Sequence, residues 1–167
     1  MSHSVKKAID TIRMGEPEKA AIVSQMNRDT KGRHGGKFDR RLRLPFQGGD
    51  LDVEVQHPNG TLALLLMRPR NLSTHGISLL AGTYLHVDTR CEITMLTLDG
   101  ERLRVTGKVS FCHHFSGKLH EVRMLFEHPI EIENFVDIPD EFLDVHAKRI
   151  KRDAVDAAEA EAAEDAA

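Results

Sequence analysis

The stretch RLRVTGKVSF, Arg102 to Phe111, decides the fold class. Leu103, Val105, Val109 and Phe111 share one parity, and Arg102, Arg104, Lys108 and Ser110 share the other. Successive side chains of a strand point to opposite faces, so this period of two predicts a strand with one face in a core and the other in water. Gly107 falls on the apolar parity, which predicts a bulge or bend there. Upstream, Asp99–Gly100 reads as a hairpin turn that joins this strand to RCEITMLTL, residues 90–98. Downstream, LHEVRMLFE, residues 119–127, alternates Val122, Met124 and Phe126 against polar neighbours.

The same reading extends toward the N-terminus. LRLPFQ, 42–47, is a short strand that Pro45 marks as an edge, and LDVEV, 51–55, alternates Leu51, Val53 and Val55 with acids. HPNG, 57–60, is a tight-turn signal, because Asn and Gly tolerate the positive φ such turns require. TLALLLM, 61–67, and GISLL, 76–80, read as strands on either side of a junction. Roughly seven short strands with hairpin signals and no intervening helix predict an antiparallel barrel or sandwich.

Helical patterns flank this region. In residues 4–27, Val5, Ile9, Ile12, Ala20, Ile22, Val23 and Met26 recur at helical spacing, and Gly15 and Pro17 divide them into two short helices. Residues 28–37, with Gly32, Gly35 and Gly36, read as a flexible basic linker. After Pro129 the pattern turns helical again, with Asp140 as a cap before Phe142, Val145 and Ile150. The organisation expected is a helical extension and linker over 1–37, a β domain over 38–138, and a C-terminal helix with an acidic, Ala-rich tail over 139–167.

Composition narrows the function classes. A chain of 167 residues with 40% hydrophobic and 29% charged residues suits one globular core. No apolar run approaches the roughly 18 residues that span a bilayer, and the N-terminus lacks a secretory apolar segment, so a cytoplasmic location is expected. Cys91 and Cys112 are the only cysteines and read as reduced, structural thiols. The net charge of -3 argues against general nucleic-acid binding, and one Tyr with no Trp leaves no set of base-stacking platforms. His113 and His114 are adjacent and so point to opposite faces of a strand, which argues against a metal site. Nothing assembles a nucleophile, a base and an oxyanion donor, so no catalytic residue and no enzymatic activity are expected. The charges are segregated: residues 28–43, RDTKGRHGGKFDRRLR, are strongly basic, while the tail after Asp153 holds acids and no base.

The motif that carries chemistry is MRPRNLSTHGISLL, residues 67–80. Asn71, Ser73 and Gly76 form Asn-x-Ser-x-x-Gly between two strands, with Arg68 and Arg70 beside them and an arginine cluster ahead of the first strand. The combination resembles the PilZ domain, the bacterial receptor module for cyclic di-GMP, over about Arg40 to Val136. The resemblance implies a small antiparallel β-barrel, here with N-terminal and C-terminal helical extensions. It also implies that cyclic di-GMP is the ligand and that no metal or cofactor is needed.

The family's second signature, Arg-x-x-x-Arg before the first strand, is altered here. Arg43 takes the place of the second arginine, and Asp39 stands four residues before it. The registers Lys37 with Arg41 and Arg33 with Lys37 each contain a lysine. Arginine grips phosphate or the guanine O6/N7 edge with two parallel hydrogen bonds and stacks on purines, whereas lysine is a point charge, so the change bears on affinity. The ligand-binding residues implied are Arg40, Arg41, Arg43, Asn71, Ser73 and Gly76, with Arg70 reinforcing the positive site. Asn71 would orient a base or the backbone, Ser73 would hydrogen-bond guanine or phosphate, and Gly76 would allow close approach or a positive φ. The function implied is a receptor that passes second-messenger level to a protein partner; the alternative is a PilZ-like adaptor that does not bind nucleotide.

Overall fold

The computed structural model describes residues 7–31, 43–46, 49–138, 140 and 155–163. The chain divides into two compact units, Met1–Val136 and Asp137–Ala167. In the first unit the elements are β1 (Ile9–Asp10), α1 (Glu16–Lys31), β2 (Leu44–Pro45), β3 (Leu51–Gln56), β4 (Leu62–Leu72), β5 (Gly76–Ala81), β6 (Arg90–Leu96), β7 (Arg102–Ser116) and β8 (Leu119–Phe126), followed by a single 3-10 turn at Ile132–Asn134.

Six of these strands close on themselves in the order β4, β3, β6, β7, β8, β5 and back to β4, every pair antiparallel. Of the barrel or sandwich that the alternation allows, this is the small barrel, and closure leaves none of the six with an open edge along its whole length. Its interior is filled by the inward parity of each strand, including Val53, Val55, Met67, Ile77, Leu79, Ile93, Met95, Val109 and Met124, each no more than 1% exposed. The predicted turns hold: Gly60 and Gly100 have φ of 86° and 88°, the conformation for which glycine is selected. Pro45 lies in the two-residue β2, which among the described residues pairs only with the end of β4, so the edge assignment is also met.

Two bulges bend the pattern. The β7–β8 register shifts between Val109 and Phe111, so Ser110 is the extra residue. Phe111 therefore leaves the parity of Val109 and pairs with Arg123 on the outer face. The bend expected at Gly107 lies three residues further on. Gly107 serves a different need, because a Cβ there would sit 2.1 Å from the Leu125 carbonyl oxygen. The second bulge, between Pro69 and Asn71, makes Arg70 the extra residue of β4. Accordingly β4 runs through the Arg-Pro-Arg sequence to Leu72, and the junction expected between the strands over residues 68–75 contracts to Ser73–His75.

The N-terminal region departs from expectation. Residues 7–15 are not helical; Ile9 and Asp10 pair in parallel with Leu65 and Leu66 of β4. Tertiary contacts override the helical spacing. Asp10 Oδ1 accepts hydrogen bonds from the Ile12 and Arg13 amides, and Thr11 Oγ1 accepts one from the Gly82 amide. A side chain at Gly82 would collide with the Thr11 carbonyl at 2.0 Å, so the segment lies flat on the barrel. The helix begins at Glu16 with Pro17 in its first turn, as expected, and continues through Lys31, so the start of the presumed linker is helical. Residues 32–42, with the rest of that linker, lie outside the described residues.

Helix α1 packs on the outside of the barrel. Met26, Ile12, Leu80 and Leu119 form one buried cluster, against which Met14 and Ile22 rest. Burying a methionine such as Met26 contributes about 1.5–3 kcal/mol. Lys19, one turn before Ile22, is 2% exposed and is held by Asp50 and by Asp10 at 3.8 Å.

Directly after Pro129, where the spacing predicts the start of a helix, the chain makes a 3-10 turn through Asn134. It buries Ile132 and Phe135 and is tied to the barrel by the Leu98 amide donating to the Asn134 carbonyl at 2.8 Å. In the second unit Asp140, the expected cap, is itself helical and exposed, and residues 155–163 are helical and exposed; the apolar positions Phe142, Val145 and Ile150 lie outside the described residues. Among the described residues no helix is long and apolar enough to cross a membrane.

Candidate functional site

The outer surface of β4, β5 and β8 carries the site, and strand register builds it in rows. One row is Arg68, Leu80 and Glu121; the next is Asn71, Ser78 and Arg123; beyond it Gly76 pairs with Leu125. Both Ser78 and Leu80 point away from the interior, yet each is 1% exposed. Leu80 is covered by α1, whereas Ser78 lies at the floor of a recess lined by Arg43, Asn71, Ser73, Gly76 and Arg123.

The recess has a cavity volume of about 20 Å³, room for a single water-sized group. A nucleotide would therefore lie across its mouth and send individual atoms inward. Arg43 arrives just ahead of β2, and Asn71 is brought there by β4 directly after the bulge. Arg123 is steadied from the side by Phe111, whose ring centroid lies 4.5 Å from the guanidinium carbon. His113 in turn meets Phe111 edge-on, with ring centroids 4.5 Å apart. Because the bulge at Ser110 is what turns Phe111 outward, a local irregularity of β7 supplies the support for a cation on β8.

The predicted residues separate into three groups. Arg43, Asn71, Ser73 and Gly76 come together in the recess. Ser73 is occupied by the β4–β5 turn itself: its hydroxyl accepts from the Gly76 amide at 3.1 Å and lies 3.2 Å from the Gly76 carbonyl. Gly76 has no positive φ; a Cβ there would lie 2.6 Å from the Met124 carbonyl oxygen, so close approach of β5 to β8 is the reason for glycine.

Arg70, expected beside the ligand, is 6% exposed and turned toward α1. It donates to Asn27 Oδ1 at 3.0 Å, to the Met26 carbonyl at 3.1 Å and to Glu121, so it clamps the helix to the barrel. Arg68 likewise serves the helix side through Glu16 and, at 3.6 Å, Asp50. Arg40 and Arg41 lie outside the described residues.

Ser78 and Arg123 are the recess residues that the motif reading missed. The spacing held part of the signal, since Ser78 is two residues after Gly76 and shares its face, and Arg123 stands on the polar parity of LHEVRMLFE. What brings them together is the β5–β8 register, which local sequence does not encode.

No family model, curated protein or solved structure matches this chain.

Larger hollows of about 420 Å³ and 340 Å³ lie along the 57–60 hairpin and beside Phe135. Neither gathers paired arginines around a buried hydroxyl, so the smaller recess is the better candidate. The remaining reactive groups are quiet. Burial pushes the Cys91 thiol from 9.0 up to about 12, and burial also raises Cys112, opposed by a hydrogen bond from the Leu85 amide. A thiol so raised is a poor nucleophile at neutral pH. Among the described residues no group of three His, Cys, Asp or Glu side chains could hold a metal ion.

Proposed function

We propose that this chain is a PilZ-type receptor for cyclic di-GMP, binding it across the outer face of β4, β5 and β8. The observation that carries the reading is the convergence of Arg43, Asn71, Gly76 and Arg123 from four separate segments on one recess. Two guanidinium groups suit a ligand with two phosphates and two guanine bases, because each can grip phosphate or a guanine edge and can stack on a purine. Asn71 adds an amide donor and acceptor.

Connectivity supports the same reading. Helix α1 ends at Lys31 and Arg43 lines the recess, so the basic run between them, with Arg33, Lys37, Arg40 and Arg41, ends at the ligand face. Ligand that draws this run onto the barrel would shift how α1 meets a protein partner, by as much as the ligand's affinity differs between the closed and open forms.

A second reading, an adaptor that does not bind nucleotide, is favoured by Asp39 at the position of the first signature arginine. A carboxylate there replaces an attraction to phosphate with a repulsion. Isothermal titration with cyclic di-GMP at two salt concentrations, with GTP as control, separates the two. The receptor reading expects a Kd below roughly 100 micromolar, a free energy of about -5.5 kcal/mol or stronger. It also expects weakening at higher salt and loss in Asn71→Ala. No heat from cyclic di-GMP supports the adaptor.

A further inference from the structure

The hydroxyl that a ligand at this recess can use is not the one in the Asn-x-Ser-x-x-Gly motif. Ser73 Oγ already accepts from the Gly76 amide and faces the Gly76 carbonyl, so its donor and one acceptor position serve the turn. Ser78 differs. It is 1% exposed, lines the recess between Asn71 and Arg123, and its Oγ has no hydrogen-bond partner among the described residues. A buried hydroxyl left unsatisfied gives up its hydrogen bonds to water without replacement, and every other position on this strand is apolar or glycine.

An alanine at 78 would pack the same site without that cost, so the hydroxyl destabilises the empty fold. Its surroundings define what would satisfy it. Arg43 and Arg123 bring two guanidinium groups to its lining, and the cavity admits about one oxygen-sized group. We propose that Ser78 is the specificity-determining hydroxyl of the site, donating its proton to a single anionic oxygen of a nucleotide phosphate, while Ser73 only shapes the turn. This rests on the receptor reading above.

The test is calorimetric titration of the full chain and of Ser78→Ala and Ser73→Ala with cyclic di-GMP, together with melting of each protein without ligand. A hydrogen bond to a charged acceptor corresponds to about a tenfold to hundredfold change in affinity. Ser78→Ala should therefore bind about tenfold to hundredfold more weakly while melting at the same temperature as the parent or higher. Ser73→Ala should melt lower, because it opens the turn. Ser78→Ala binding within twofold of the parent, or melting several degrees below it, overturns the assignment while leaving the receptor reading intact. Absence of binding by the parent chain overturns both.

Discussion

Replacing Arg70 with alanine separates a helix clamp from a ligand contact, and its magnitude follows from the contacts. Arg70 donates to two neutral acceptors, Asn27 Oδ1 and the Met26 carbonyl, and to the carboxylate of Glu121. Hydrogen bonds to neutral partners contribute about 0.5–1.5 kcal/mol each and those to charged partners about 1.5–3. Removing one member of a fully buried ion pair costs about 3–5 kcal/mol. The Glu121 side chain is 18% exposed and can recover some hydration, so the lower part of that range applies. A loss of about 3 kcal/mol in a domain of this size lowers Tm by roughly 10 °C.

Circular dichroism melts of Arg70→Ala and Arg70→Lys measure this. Lysine keeps the charge toward Glu121 but loses the planar fork that reaches α1, so it should fall between alanine and the parent. Titration with cyclic di-GMP supplies the second arm, in which Arg70→Ala should bind within a few-fold of the parent at a temperature where both are folded. An Arg70→Ala protein that melts with the parent yet loses ligand binding would refute the clamp and return Arg70 to the ligand.

Gly76→Ala must move β5 away from the Met124 carbonyl, which lies 2.6 Å from the new Cβ. A loss of about 1–3 kcal/mol in urea unfolding is expected, as for overpacking. Lys19→Ala removes the buried ammonium from Asp50 and Asp10 and leaves Asp50 to Arg68 at 3.6 Å, so it should lower the urea midpoint more than Lys118→Ala, which changes an exposed turn residue.

Cys91 holds its proton more tightly when folded than unfolded. Its contribution to stability is therefore present below the ordinary thiol value of 9.0 and is lost as pH rises toward about 12. The alkaline fall in urea midpoint should be shallower in Cys91→Ala. In the native protein at pH 8, iodoacetamide should label Cys112, which is partly exposed, before Cys91.

The strands were legible because alternation is a local property and the barrel keeps it: Val53 and Val55, or Val122 and Met124, face inward as their parity requires. Turns were legible for the same reason, since Asn59–Gly60 and Asp99–Gly100 carry their own conformational demand. The bulges were not, because an extra residue at Ser110 or Arg70 is defined only against the partner strand. Hence Phe111 changes face, and Arg70 and Asn71, adjacent in sequence, serve different partners on the same outer surface. Residues 7–15 show the limit of periodicity, since pairing with β4 and the fit of Thr11 over Gly82 outweigh helical spacing. At the site, the motif identified the strand and the turn, while Ser78 and Arg123 depended on the β5–β8 register.

The most direct test of the site is a nitrogen–proton NMR titration of the chain with cyclic di-GMP. The account predicts shifts concentrated on the amides of residues 71–78 and 122–125, with smaller changes along α1. Shifts confined to the 57–60 and 87–90 loops, or no shifts at millimolar ligand, would contradict it.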